Sequence, residues 1–198
     1  MGFVSLPNII ITSRWNSTRI PGKALVDIEG EPLLWRCVTN CRNTGFETIV
    51  ATTYDSLPII QMCETSGVPY CCVENEDDVL GRLVKAIDIY PCNEVIRVWG
   101  DSPLISPFHI MQSFIQASNT RVEYSAFKDL TGEVVTICKS NLYLELDKTL
   151  TEPKDREWIH KYIMDNRKVS KFGFWESQVV DTPEDLERVR AIVRKSKS

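Results

Sequence analysis

The sequence predicts an α/β fold in which a mostly parallel sheet is covered by helices on both faces. Three observations point there. Apolar runs at 9–11, 48–53, 68–73 and 94–99 read as strands buried on both sides. Stripes at helical spacing separate them. Strand and helix alternating at this spacing require right-handed crossovers, which make neighbouring strands parallel. The 198 residues suit one domain over 1–198. A chain of that size buries roughly 70% of its unfolded surface.

The elements follow in order. Ile9, Ile10 and Ile11 form the first strand. Pro32 opens a helix whose stripe is Leu33, Leu34, Cys37, Val38 and Cys41. The run TIVATT at 48–53 is the second strand, and residues 56–66 form a helix stopped by Gly67. Residues 68–73 give the third strand. Val79, Leu80, Leu83, Val84 and Ile87 give the next helical stripe. Residues 94–99 form a fourth strand, and Pro107 opens the helix after it. The second half is less regular. Residues 122–127 and 133–139 alternate like half-exposed strands around Gly132, and helices follow at 140–149 and 154–165. Residues 171–177 are the last strand. Thr182, Pro183, Glu184 and Asp185 then start an amphipathic helix with a cap, Pro at its first position and acids in its first turn. Residues 120–165 are expected to break the alternation and to form a dimer or acceptor sub-region.

Composition narrows the classes. The net charge of −4 argues against a nucleic-acid backbone as partner. No apolar run approaches the ~20 residues that span a bilayer, and no basic-then-apolar leader is seen, so the expectation is no membrane and a cytoplasmic protein. Seven cysteines without a Cys-x-x-Cys pair, and two distant histidines, read as free buried thiols in a reducing compartment.

Chemistry gathers at the predicted strand ends, where open α/β sheets bind ligands. The loop SRWNSTRIPGKAL at 13–25 carries Arg14, Arg19 and Lys23 and no acid, in an acidic chain. Asp101 follows the fourth strand and Asp181 the last. Cations on one loop and carboxylates on two others suit a polyphosphate with a divalent metal. On spacing alone, the three cations equally suit a solvated loop, Asp101 a turn before Pro103, and Asp181 a helix cap beside Thr182. The loop is not a Walker A motif, which would need Gly in place of Ser17 and Ser or Thr in place of Ala24. There is no G-x-G-x-x-G, and no Asp-x-Asp lies at a strand end as a metal-dependent glycosyltransferase would need.

Together, SRWNSTRIPGKAL, IEGEPLL, VATTYD, DDVLGRLVKA, RVWGDSPLISP and VDTPEDLERVR touch most of the chain in order. They resemble the cytidylyltransferases that activate acidic sugars: the CMP-KDO synthetases, the acylneuraminate cytidylyltransferases and the spore-coat polysaccharide synthesis branch. DDVLGR and GDSPL favour the last. The resemblance implies a three-layer α/β/α nucleotide-binding, Rossmann-like fold with a mostly parallel mixed sheet, a homodimer, CTP and Mg²⁺. It implies that Arg14 and Lys23 hold the triphosphate, with Ser13, Ser17 and Arg19 lining the nucleotide site. It also implies Arg82 beside the cytosine or ribose, Asp101 as nucleotide contact and metal ligand, and Asp181 as second metal ligand. Arg156 and Glu157 would touch the acceptor, although Trp158 stands where that family usually has His. The implied reaction is transfer of CMP from CTP to a 2-keto-3-deoxy sugar acid, with pyrophosphate released, for surface polysaccharide synthesis. A nucleotidyltransferase acting on a sugar phosphate or other phosphorylated alcohol, and a non-catalytic nucleotide-binding homologue, are the competing readings.

Overall fold

Asn8–Thr12 forms β1, every residue of it buried. It is an interior strand of a seven-stranded sheet in a computed structural model that describes residues 6–128, 133–172 and 178–197. β2 (Asp27–Ile28) and β3 (Glu31–Pro32) make a separate small hairpin. Then follow α1 (Leu33–Arg42), β4 (Thr48–Thr53), α2 (Leu57–Thr65), β5 (Tyr70–Val73), α3 (Val79–Ile89), β6 (Glu94–Trp99) and α4 (Pro107–Ser118). The second half holds β7 (Tyr124–Lys128), β8 (Glu133–Lys139), α5 (Ser140–Thr149), α6 (Pro153–Glu157), α7 (Ile159–Asn166), β9 (Ser170–Phe172) and α8 (Pro183–Lys197).

The strand order is β5-β4-β1-β6-β8-β7-β9. β4 and β6 both pair with β1 in parallel, and β5 pairs with β4 in parallel. β8 runs antiparallel to β6 and β7, and β9 is parallel to β7. The chain therefore runs outward from β1 through β4 to β5, then returns to the other side of β1 with β6. That reversal is the switch point where the loops after β1 and β6 part and leave a crevice.

Alternate strand residues feed two cores, one on each face. Ile9, Ile11, Val50, Ile96 and Val98 face α1, α2 and α4. Ile10, Ile49, Ala51 and Val95 face α3, α5 and α7. This is the expected three-layer α/β/α arrangement. A third cluster, with Ile20, Ile28, Leu33, Val180, Leu186 and Val189, packs α8 against the hairpin and the segment after β1. Among the described residues no helix is long and apolar enough to cross a membrane. The cysteines are free, and six of the seven are buried.

Several boundaries differ from expectation, each for a local reason. Pro32 does not open α1. It ends β3 in extended conformation, and the Leu33 N–H is bonded to the Val26 carbonyl, so the helix starts one residue later. Val68 donates to the Cys63 carbonyl and closes α2, which delays β5 until Tyr70. The helix expected over 154–165 is broken at Trp158 (φ −96°, ψ 38°). The break lets α7 bury Ile159 and Ile163 in the second core, whereas α6 buries nothing. The last strand is seen at Ser170–Phe172; residues 173–177 of the expected strand lie outside the described residues.

Candidate functional site

The loop after β1 is held open by contacts along its length. Ser13 N–H continues the pairing by donating to the Ala51 carbonyl (3.1 Å), and Trp15 N–H donates to Ser56 Oγ (3.1 Å). Gly22 has a left-handed backbone (φ 65°), and a Cβ there would sit 3.0 Å from the Trp15 ring. No other residue type meets both demands without strain. The turn it allows starts the short 3₁₀ segment at Lys23–Leu25, which aims Lys23 back at the sheet. Gly100 is constrained by space alone. Its N–H donates to the Thr12 carbonyl, and a Cβ would lie 2.9 Å from Ser13 Cβ. The loops after β1 and β6 therefore touch at the switch point.

Lys23 Nζ donates to Asp101 Oδ2 (3.0 Å), Asp181 Oδ1 (3.2 Å) and the Val180 carbonyl (2.9 Å). The solvated-loop alternative does not fit Lys23, whose side chain is only 17% exposed. Asp101 and Asp181 are brought together across 80 positions because Val180 N–H donates to the Asp101 carbonyl (2.9 Å). Asp101 Oδ1 is buried and has no partner among the described residues. Asp181 does not cap α8. Thr182 Oγ1 accepts from Asp185 N–H (3.2 Å), and Asp185 Oδ2 accepts from the N–H groups of Asp181 (3.0 Å) and Thr182 (2.9 Å). That reciprocal pattern is a capping box with Thr182 as the cap. It leaves the Asp181 carboxylate free to face Lys23 and Arg19. Arg19 meets Asp181 at 3.1 Å, and Arg14 meets Asp77 at 3.2 Å and Glu76 at 3.9 Å.

These groups line a cleft of about 400 Å³. Ser13, Arg14, Ser17, Arg19, Lys23, Arg82, Asp101, Glu157 and Asp181, all named from the sequence, border it. Arg82 is buried; it donates to the carbonyls of Ser13 (3.2 Å) and Glu76 (3.0 Å) and so ties the start of the loop to the segment before α3. Burial, reinforced by Arg97 and Arg14, pushes its pKa down to about 10.

Arg156 is not brought to the cleft. Its guanidinium forks onto Asp78 (3.0 and 2.9 Å), which accepts from Gly81 N–H at the start of α3. It also reaches Asp147 Oδ1 (2.7 Å) and the Leu150 carbonyl (3.1 Å). This is a strut between α3, α5 and α6. Trp158, 57% exposed, borders the cleft beside Glu157.

Sequence reading did not name Arg97, Trp99, His160 or Lys161, which also border the cleft. One signal was available: an arginine in the middle of the strand EVIRVW, where a charge is rarely buried unless paired. Nothing local marked His160, which meets the Tyr124 hydroxyl through Nδ1 at 2.7 Å. Among the described residues no group of three or more metal-ligating side chains occurs.

A parallel sheet with a cation-lined, carboxylate-bearing cleft at its switch point is the architecture of the nucleotidyltransferase fold. Solved structures of that fold superpose on nearly the whole chain. CMP:2-keto-3-deoxy-manno-octonic acid synthetase complexed with CTP does so with a TM-score of 0.81 at 18% identity, covering 96% of this chain and 100% of that one. A cytidylyltransferase from Leptospira borgpetersenii gives 0.84 at 22% identity, covering 95% and 86%. Residues 8–173 match the cytidylyltransferase family model, and the chain belongs to that family. The 3-deoxy-manno-octulosonate cytidylyltransferase of Proteus mirabilis is 35% identical over 109 residues, 52% of this chain and 42% of that protein. The matches span less than half the length of such relatives. The spore coat polysaccharide biosynthesis protein SpsF of Bacillus subtilis is 27% identical over 216 residues, covering 94% of this chain and 86% of that protein.

Proposed function

We propose that this chain transfers CMP from CTP to an acidic sugar, a 2-keto-3-deoxy sugar acid, and releases pyrophosphate for surface polysaccharide synthesis. The observation that carries the reading is the meeting of Asp101 and Asp181 at one cation, Lys23 Nζ, with Arg14 and Arg19 on the same loop. The names of the similar proteins supply CTP and the sugar acid as the substrates to try first.

The donor set fits Mg²⁺. Two carboxylates converge on a single positive centre, and Asp101 Oδ1 is a buried oxygen with no partner among the described residues. Mg²⁺ takes one or two carboxylates and fills its remaining positions with water and phosphate oxygens, which matches two converging acids with no third ligating side chain grouped with them among the described residues. Asp101 and Asp181 would hold it, and when bound it neutralises phosphate oxygens at the reacting phosphorus. The chain's own residues do the rest. Lys23, released from its carboxylates, and Arg14 and Arg19 meet the triphosphate oxygens and the charge that grows on the leaving pyrophosphate. The acceptor hydroxyl oxygen bonds to the α-phosphorus as the bond from that phosphorus to the bridging oxygen breaks, and the hydroxyl proton passes to solvent. Positioning and electrostatics supply most of the acceleration in such transfers.

A homodimer through residues 120–165 belongs to the same reading; the exposed Trp158 on that segment supports it. The test is a pyrophosphate-release screen of nucleoside triphosphates against 2-keto-3-deoxy sugar acids and sugar phosphates, with Mg²⁺. Release with CTP and a sugar acid is the expected result. Release only with a sugar phosphate, or tighter binding of ATP than of CTP, overturns it.

A further inference from the structure

The cleft is bordered by six arginine or lysine side chains, and five are engaged. Arg14 meets Asp77, Arg19 meets Asp181, Lys23 meets Asp101 and Asp181, Lys161 meets Asp165, and Arg82 donates to two carbonyls. The Arg97 side chain makes no hydrogen bond or ion pair among the described residues. It sits in mid-strand, with Ile10 of β1 and Thr136 of β8 beside it in register. Along its face of β6, Val95 lies in the second core and Trp99 ends the strand at the cleft. Arg97 is 5% exposed, its Nε is buried without a partner, and its guanidinium carbon lies 4.3 Å from the centre of the Trp99 ring.

A guanidinium cannot shed its charge in a protein. Burial pushes its pKa down, and the nearby Tyr143, Tyr124 and Asp101 offset only part of that. Taking a charge out of water without a partner is strongly unfavourable, and contact with one aromatic face recovers a fraction. An apolar residue would stabilise this strand better. The position is therefore set for something that enters the cleft, and that partner must be an anion.

Charge matching selects its kind. The polyphosphate end of the cleft has Arg14, Arg19 and Lys23. Near Arg97, Arg82 is already bonded to the Ser13 and Glu76 carbonyls, and Lys161 is mostly exposed and paired with Asp165. One desolvated monocation matches a monoanion. A phosphate dianion would bring a second charge into a wall whose other buried cation, Arg82, is already taken up by two backbone carbonyls. The guanidinium fork takes a carboxylate through two parallel hydrogen bonds. The surroundings suit a sugar acid: Trp99 lies below, and His160 stands edge-on to it at 5.8 Å, fixed by Tyr124.

We propose that Arg97 is the receptor for the acceptor's carboxylate, seated against Trp99, and that it sets the preference for acidic over neutral or phosphorylated sugars. This rests on the transfer reaction proposed above. The test uses Arg97→Met and Arg97→Lys, with 3-deoxy-manno-octulosonate and its carboxamide as probes. Thermal unfolding and calorimetric binding of CTP, and of the acid in the presence of CTP and Ca²⁺, are measured beside pyrophosphate release. Arg97→Met is expected to melt at or above the wild-type temperature and to bind CTP within about threefold of wild type. It is expected to bind the acid about 10- to 150-fold more weakly, as befits the loss of a charged hydrogen-bonding partner. Its acid-to-carboxamide preference should fall to near unity. Arg97→Lys keeps the charge without the fork and should fall between. An unchanged acid-to-carboxamide ratio in a folded variant overturns the proposal. So does a loss confined to CTP, or a wild-type preference for a sugar phosphate. If Arg97→Met does not fold, the Arg97→Lys ratio decides alone. Acid binding lost in Arg97→Met while wild type releases no pyrophosphate keeps the anion site and overturns the transfer reaction. Turnover equal in both proteins does the reverse.

Discussion

The two ends of the cleft handle positive charge in opposite ways. At the loop end, Arg14 and Arg19 are exposed, Lys23 is mostly buried, and each already touches a carboxylate. At the β6 wall, Arg97 is buried and unpaired over Trp99. The first arrangement is inexpensive without ligand. Exposed pairs contribute little to stability, and their cations can change partners when a polyanion arrives. The second is unfavourable without ligand and gives selectivity instead, because an anion that fits relieves it. A mobile, charge-swapping end suits a substrate that is bound and broken. A fixed end suits a group that must be recognised and left intact.

The largest effect that would break this contrast is at Asp181. If Asp101 and Asp181 jointly hold a metal, Asp181→Asn should lower Mg²⁺-dependent turnover by about 10²–10³-fold, the usual loss for one preorganised electrostatic partner. Asp101→Asn should behave alike, and the double variant should be little worse than either, because both disable one ion. Circular dichroism should stay native, since Thr182, not Asp181, caps α8. Near-normal turnover in Asp181→Asn would leave Asp101 as sole candidate ligand.

Lys23→Ala is next. Losing a charge-assisted phosphate contact should weaken CTP binding by ~1.5–3 kcal/mol, about 10- to 150-fold. Asp101 would then lose its cation and face Asp181, which keeps only the exposed Arg19, so the variant should melt lower than wild type. Added Mg²⁺ should raise its melting temperature more than it raises that of wild type, because no ammonium competes. A variant that melts low, ignores Mg²⁺ and binds CTP normally would make Lys23 a structural pin.

The loop end was legible in the sequence and the wall was not. The strands at 9–11, 48–53 and 94–99 announced themselves by apolar runs, which fixed where their ends lie and so where Arg14, Lys23 and Asp101 meet. Asp181 joined them as a carboxylate soon after the last expected strand, and the Val180 N–H bond to the Asp101 carbonyl is what brings it there. The hairpin β2–β3 escaped because two-residue strands carry no period. The break at Trp158 escaped because α6 and α7 together read as one helical stripe, and only the need to bury Ile159 and Ile163 separates them. Arg97 was visible as a letter, but its isolation depends on what surrounds it in space. Arg156 shows the reverse error. A motif position suggested an acceptor contact, while Asp78 and Asp147, 78 and 9 positions away, occupy its guanidinium.

Arg156 sharpens the contrast as a cation beside the cleft that is neither mobile nor waiting. Arg156→Met should cost about 2 kcal/mol of stability, a figure reduced for partial exposure, since it leaves Asp78 and Asp147 without their partner. CTP affinity should hold. Denaturant unfolding with acceptor titration checks it: unchanged stability with a weakened acceptor KM would restore Arg156 to the acceptor site.

The smallest effect concerns how Asp181 is held in place. Asp185 Oδ2 accepts the N–H groups of Asp181 and Thr182, and Oδ1 meets Arg188 at 2.6 Å. Partial burial pushes this carboxyl up, but Arg188 and the two backbone donors outweigh it, so its pKa is held down at about 2. An unfolded Asp titrates near ~3.9. A depressed folded value means that the contribution is complete above the unfolded value and fades as pH falls from about 4 through about 2. Asp185→Asn keeps an acceptor for the cap but cannot titrate. Its loss should be about 1 kcal/mol near neutrality, typical of a cap and moderated by solvent screening. On acidification the variant and wild type should converge across that window. Urea unfolding at pH 6, 4 and 2.5 measures the gap. A gap that stays constant would show that the charge of Asp185 does nothing for the α8 start. A gap that closes, with turnover reduced only slightly at pH 7, would show the cap holding Asp181 toward Lys23 without taking part in the chemistry.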